Sequence, residues 1–353
     1  MIYKTDEIHM PMKNQLTEAG TAPYIPAANT TGLPFMSVVS PIYKAEVILP
    51  VLVERLIRSL SLITDNFEII LVCDGSPDNS WAVMTKLAEQ HSCLIVVKLS
   101  RNFGQHYAMT AGLDLARGEW TVVMDCDLQD QPEEIHRLLE KANEGFDIVV
   151  ARRIERKHKL WKRITSNLFA KLFNLMSGLH LDSSVGSFRI MKRTVVEGLC
   201  NMRETHRLFG GLVEWLGFDT ASIDVQHSER FEGQSSYNLV RLFVMAMDGM
   251  ISFSNRPLYI SIALGTILSI ASGMYGLSLL LKYSFGGISS ISGWLSTILA
   301  VTFLGGIILL NQGILGLYLG RLYSQSKSRP LYVISKIIQT KQNTKLSGEG
   351  QPI

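Results

Sequence analysis

The chain has 353 residues, of which 47% are hydrophobic and 18% charged, with a formal net charge of +3. That length holds a sizeable domain and a further part, while so small a charge excludes a strongly basic nucleic-acid binder. Four cysteines without CxxC spacing (Cys73, Cys93, Cys126, Cys200) and eight scattered histidines exclude a disulfide scaffold and a zinc-type ligand array.

Residues 1–34 carry neither a basic start nor an apolar stretch of the kind a secretory signal needs, and read as a flexible leader. From Phe35 onward, short β-branched runs alternate with helix-like segments. Residues 37–40, 67–72, 94–99, 120–124 and 147–150 read as strands, with helices starting near Glu46, Ser80, Gln105 and Pro132. The alternation predicts an α/β domain over 35–235, a mostly parallel sheet with helices on both faces. Neither G-x-G-x-x-G nor a Walker lysine loop follows any of these strands, so the usual dinucleotide and P-loop readings lack their phosphate cradle.

Polar residues gather behind four of the strands, the edge at which open α/β sheets bind ligands. Ser40-Pro41-Ile42-Tyr43-Lys44-Ala45-Glu46 follows the first and Cys73-Asp74-Gly75-Ser76-Pro77-Asp78-Asn79-Ser80 the second. Arg101-Asn102-Phe103-Gly104 follows the third and Asp125-Cys126-Asp127-Leu128-Gln129-Asp130 the fourth. Each alone is ordinary turn or cap chemistry; four at one edge predict a single site. Asp125 and Asp127, two apart at a strand end, point the same way and suit one shared divalent cation. The same run also suits a capped helix start at Pro132, and taken alone it favours neither reading.

After Val150 the pattern changes. Leu160, Trp161, Ile164, Leu168, Phe169, Leu172, Phe173 and Met176 recur near helical spacing with Lys162, Arg163 and Lys171 among them. A helix over about 158–177 fits the membrane interface, and also fits an ordinary amphipathic core helix. Arg152, Arg153, Arg156, Lys157, Lys159, Lys162 and Arg163 concentrate positive charge there. Residues 236–256 read as a second, juxtamembrane amphipathic helix.

Residues 258–281 contain no charge, and at a rise of about 1.5 Å each they cover roughly 36 Å, more than a hydrocarbon core of about 30 Å. A second uncharged run covers 284–320. Two transmembrane helices follow, 257–283 and 293–320, with a tail over 321–353. The connecting loop holds only Lys282, whereas Arg321, Lys327, Arg329 and Lys336 follow the second span, so both termini and the catalytic domain are expected in the cytoplasm. Gly316 and Gly320 have the small-xxx-small spacing of a close helix contact, as in a homo-oligomer, though glycine is common in membrane spans generally.

The motifs taken together resemble the inverting, GT-A-type family 2 glycosyltransferases, and within them the polyprenyl-phosphate glycosyltransferases. The resemblance covers about 35–334 and rests on Asp74-Gly75-Ser76, Arg101-Asn102-Phe103-Gly104, Asp125-Cys126-Asp127-Leu128-Gln129-Asp130, Val185-Gly186-Ser187-Phe188-Arg189 and Tyr318-Leu319-Gly320-Arg321. It implies a GT-A nucleotide-sugar-binding sheet in which Pro41, Tyr43, Glu46 and Asp74 line the nucleotide pocket, Asp74 facing the base. It implies that Asp125, Asp127 and Gln129 hold Mg²⁺ or Mn²⁺ against the donor diphosphate. Arg152 and Arg189 resemble the cationic groups near donor and acceptor phosphates, and Arg230 belongs to a loop that closes the site. The sequence departs from the family at Ser236, where relatives carry lysine, at Gln131 in place of proline, and at Leu317 in place of glutamate.

The expected activity is a metal-dependent, inverting transfer of one sugar from a nucleotide sugar, UDP-glucose or UDP-N-acetylglucosamine first, to undecaprenyl or another polyprenyl phosphate. The setting is the bacterial inner membrane and the product a lipid-linked sugar for envelope glycans. A phosphate monoester, with a second pKa of about 6, needs no strong general base at neutral pH. The competing readings are a processive polysaccharide synthase, for which two spans offer no obvious pore, and a non-catalytic nucleotide-sugar-binding scaffold.

Overall fold

The computed structural model describes residues 32–153, 185–205, 207–225, 256–285 and 293–340. The leader through 31, the helix over 158–177, the juxtamembrane segment through 255 and the loop holding Arg230 and Ser236 lie outside the described residues.

An eight-stranded sheet runs in the order β7-β5-β6-β4-β1-β2-β3-β8. Its centre is β1 (Met36–Ile42), with β2 (Phe67–Cys73) and β4 (Trp120–Val123) parallel on either side and β3 (Leu94–Leu99) beyond β2. Every residue of β1 is buried, as expected of a strand covered on both faces, which is why its run is almost continuously apolar. Its buried Ser37 donates to Glu68 Oε1 (2.7 Å) and accepts the Gly118 N–H (2.7 Å), while Glu68 takes the Arg117 guanidinium at 2.7 Å. The only acid inside the central strands is therefore paired.

One face is covered by α1 (Leu49–Ser61), α2 (Ser80–Gln90) and α4 (Ile135–Ala142), which follows a 3₁₀ turn at Pro132–Glu134. The other face is covered by α3 (Gln105–Leu115), α5 (Arg193–Asn201) and α6 (Phe209–Trp215). Helix α1 begins three residues later than expected, because Glu46 is used in a loop contact described below.

The rest of the sheet was not evident from alternation. Strand β5 (Ile148–Arg153) extends past Val150; β6 (Val185–Lys192) lies between β4 and β5, antiparallel to both; β7 (Thr220–Val225) is parallel to β5. Four of the seven pairings are parallel, so the sheet is mostly parallel but mixed. The predicted tail is also part of it. Strand β8 (Ile334–Gln339) pairs antiparallel with β3, flanked by Ser100 N–H donating to Val333 O (2.8 Å) and Thr340 Oγ1 donating to Ala88 O (2.6 Å). The Tyr332 hydroxyl and the Arg203 guanidinium converge on Asp114, the latter through two bonds of 2.7 and 2.8 Å.

Helices α7 (Arg256–Ser284) and α8 (Trp294–Ser326) are long and apolar enough to cross a membrane. Among the described side chains of the two spans, Leu258–Tyr275 and Phe303–Ser326, none is buried. Ile267 is 63% exposed, Met274 68% and Leu309 70%, an arrangement water would penalise heavily over two whole helices. The end of α8 meets the sheet domain directly: Gln325 Oε1 accepts the Thr205 N–H (3.0 Å) and hydroxyl (3.1 Å).

Candidate active site

The site is assembled by clasps between consecutive strand ends. Behind β1, the Lys44 N–H donates to Ser76 Oγ (2.8 Å) and the Ala45 N–H to Ser80 Oγ (3.0 Å). Glu46 and the 78–79 turn bond reciprocally: the Glu46 N–H donates to Asp78 Oδ2 (3.3 Å) and the Asn79 N–H to Glu46 Oε2 (2.8 Å). Burial acts to raise the Asp78 pKa, but the Ser76 and Ser80 hydroxyls and the Ser80 and Glu46 N–H groups outweigh it and hold the carboxyl below its ordinary range.

The second clasp joins β2 to the turn before α3. Asp74, buried at the end of β2, accepts the Phe103 N–H on Oδ1 (2.7 Å) and the Gly104 N–H on Oδ2 (2.8 Å). Next to it Gly75 has φ +58°, and a Cβ there would sit 2.3 Å from Asn102 N. Only glycine allows the two turns to approach this closely.

The third joins α3 to the end of β4. Gln105, the first residue of α3, donates its side-chain amide to Asp125 Oδ1 (2.7 Å). Two residues on, Asp127 Oδ1 accepts the Gln129 N–H (3.2 Å), closing a tight turn in which Leu128 takes φ +55° while its side chain is buried. An unfavourable left-handed residue is thus held by packing and by an Asx turn, so the acidic stretch is a fixed loop. Burial raises the Cys126 thiol to about 11, keeping it protonated between the two carboxylates.

These clasps leave a cavity of about 390 Å³ lined by Pro41, Tyr43, Asp74, Asp125 and Asp127, together with Asn102, Gly104 and Gln105. Five of the residues expected from sequence therefore meet. Glu46 braces two loops instead of lining the cavity, and Gln129 serves the turn through its backbone. Arg152, on β5, bonds Asp224 Oδ1 of β7 at 2.6 Å. Arg189 pairs in register with Val123, two residues before Asp125, and is 5% exposed. Burial lowers its pKa to about 10, with Asp125 opposing, so it stays a cation at neutral pH. Arg230 lies outside the described residues. Sequence reasoning missed Gln105; the signal was its place directly behind the Arg-Asn-Phe-Gly stretch, at a helix start facing the acidic motif.

The donors suit a hard divalent ion. Two carboxylates share one cavity, the intervening thiol is protonated, and no cluster of three or more His, Cys, Asp or Glu forms a closed protein cage among the described residues. One or two carboxylates completed by substrate phosphates is the usual arrangement for Mg²⁺.

Residues 37–200 match the model of Glycosyl transferase family 2. An uncharacterized glycosyltransferase of Synechocystis sp. is 38% identical over 303 residues, 86% of this chain and 95% of the relative. A prophage bactoprenol glucosyl transferase homolog of Escherichia coli is 33% identical over 303 residues, 86% of this chain and 99% of the relative. An undecaprenyl-phosphate 4-deoxy-4-formamido-L-arabinose transferase of Pseudomonas paraeruginosa is 35% identical over 307 residues, 86% and 90% of the two chains. With its mixed sheet and acidic strand-end cavity, the chain belongs to glycosyl transferase family 2, among the GT-A polyprenyl-phosphate glycosyltransferases.

Proposed function

We propose that the protein moves one sugar from a nucleotide sugar to a polyprenyl phosphate, with inversion at the anomeric carbon, at the cytoplasmic face of a bacterial inner membrane. UDP-glucose and UDP-N-acetylglucosamine are the first donors and undecaprenyl phosphate the first acceptor. The carrying observation is that Pro41, Tyr43, Asp74, Asp125 and Asp127, from three separate strand ends, line one cavity. The two uncovered apolar helices supply the reason such a site would work on a lipid.

Asp125 and Asp127 hold the divalent ion, with Gln129 as the remaining expected contact, and Gln105 orients Asp125. Bound there, Mg²⁺ or Mn²⁺ supplies Lewis-acid stabilisation of the departing diphosphate. Tyr43, 46% exposed at the cavity, offers its ring to the nucleotide base. Arg189 places a permanent cation beside Asp125, where negative charge accumulates. Arg152 and Arg230 contribute further phosphate contacts at the closed site. No side chain need remove a proton from the acceptor, since a phosphate monoester is largely a dianion at neutral pH.

The test is purified protein with Mg²⁺, polyprenyl phosphate and a panel of nucleotide sugars. One donor should yield a lipid phosphate carrying a single sugar. Products with several sugars would replace this reading with a processive synthase; no product from any donor would refute it.

A further inference from the structure

Residues 203–205 form no helix or strand, yet they join the end of the apolar helix α8 to both ends of α3. On one side, Gln325 Oε1 accepts the Thr205 N–H (3.0 Å) and hydroxyl (3.1 Å), and Gln325 Nε2 donates to Arg203 O (3.3 Å). On the other, the Tyr107 hydroxyl donates to Thr205 O, and the Arg203 guanidinium holds Asp114 through bonds of 2.7 and 2.8 Å. Tyr107 lies in the first turn of α3 and Asp114 in its last. Gln325 itself is exposed, so packing gives no reason for a side chain that grips this segment as both acceptor and donor.

The first turn of α3 depends on such outside contacts. Gly104 precedes it at φ +111° and brings no side chain to cap it. Asp74 accepts the Gly104 N–H (2.8 Å), Gln105 donates to Asp125 Oδ1 (2.7 Å), and Tyr107 donates to Thr205 O. At about 100° per residue, the side chains of Gln105 and Tyr107 leave the helix on nearly opposite sides. Asp125 and Thr205 therefore hold the same turn from two directions, and a shift at Thr205 turns Gln105 relative to Asp125.

We propose that Gln325 is a positioning residue for the metal carboxylate: through Thr205 and Tyr107 it fixes the first turn of α3, and with it the aim of Gln105 on Asp125. The end of a helix apolar enough to cross a membrane is thereby tied to the metal side of the cavity, and the carboxylate is set only while α8 is seated against residues 203–205. The inference rests on the reading of Asp125 as a metal ligand; the tie between α8 and α3 can be measured without metal.

UDP binding to full-length protein in detergent is titrated with Mg²⁺ at equilibrium, with no acceptor present. Gln325→Ala and Tyr107→Phe should each raise the Mg²⁺ concentration for half-maximal UDP binding about three- to tenfold, the value of one hydrogen bond. Thr205→Ser, which keeps both donors, should stay at the wild-type value. Added to Gln105→Ala, Gln325→Ala should bring no further rise, because the link it acts through is already cut. The Tyr107 and Ala108 amides bond Gly104 O at 3.0 and 3.1 Å, and with neither metal nor nucleotide added they should exchange hydrogen faster in Gln325→Ala than in the wild type. An unchanged Mg²⁺ requirement in Gln325→Ala overturns the proposal. So does a rise of the same factor in the Gln105→Ala background, which would mean that the two residues act independently. A wild type that binds UDP without regard to Mg²⁺, while Gln325→Ala still loosens the α3 amides, would refute the metal reading of Asp125 and uphold the tie between α8 and α3.

Discussion

The Gln105 amide donates to Asp125 Oδ1 across 2.7 Å, tying the first residue of α3 to the acidic end of β4. Gln105 is exposed and carries little packing, so its contribution is the aim of the Asp125 carboxylate. Gln105→Ala should raise the Mg²⁺ concentration needed for half-maximal transfer by about 10- to 100-fold. Unfolding free energy should change by no more than about 0.5 kcal/mol. Metal titration of the initial rate, beside a melting curve, separates the two effects.

Asp74 is the opposite case, buried and holding two backbone N–H groups. Asp74→Ala strands both donors and should destabilise the domain by about 2–5 kcal/mol, with nucleotide affinity falling as the turn before α3 loosens. Denaturant unfolding in detergent measures the first and nucleotide titration the second.

Gly75 and Gly217 form a matched pair. Both have positive φ, +58° and +69°, but a Cβ at Gly75 meets Asn102 N at 2.3 Å whereas nothing lies within 4 Å of one at Gly217. Gly217→Ala should cost only the left-handed backbone penalty, about 1–2 kcal/mol. Gly75→Ala should cost more and should also weaken nucleotide binding, because the β2 and β3 strand ends must part. Equal losses in the two variants would show that the close approach of the turns is unimportant.

The contrast between Asp74 and Glu46 shows what was legible in the sequence. The first four strands and the convergence of their ends could be read because buried parallel strands are nearly continuous apolar runs, as Val38, Val39, Ile69 and Ile70 illustrate. Which acids face a ligand and which hold loops could not be read, since both uses select the same short polar residues. Strand β6 escaped because Gly186, Ser187 and Arg189 give it no apolar alternation. Strand β8 escaped because it follows α8 by only a few residues and its pairing with β3 is a long-range property. Gln105 and Arg207 carry no motif; their roles come from the α3 start and from the α5 cap.

His106 gives a pH signature. Its folded-state pKa lies below the ordinary 6.5, through burial and then the nearby Arg207 and Arg189, with Tyr107 adjacent on α3. Below that value the unfolded chain binds a proton that the folded chain refuses, so stability falls as pH drops until the folded pKa is reached. The Asp78 and Glu133 carboxyls are held below 3.8 and 4.5, respectively, so their contributions disappear at lower pH. Melting temperatures between about pH 7 and about pH 5 should therefore fall less steeply in His106→Ala than in the wild type.

The central claim is that Asp125 and Asp127 hold the metal through which a single sugar is transferred to a lipid phosphate. It is tested most directly by the initial rate of sugar transfer to undecaprenyl phosphate in Mg²⁺, comparing wild type with Asp127→Asn. The wild type should make a lipid phosphate bearing one sugar, and a chelator should abolish the rate. Asp127→Asn should lose at least about a hundredfold in rate with its melting curve unchanged. A chelator-insensitive wild type, or an Asp127→Asn protein that transfers at the wild-type rate, would contradict it.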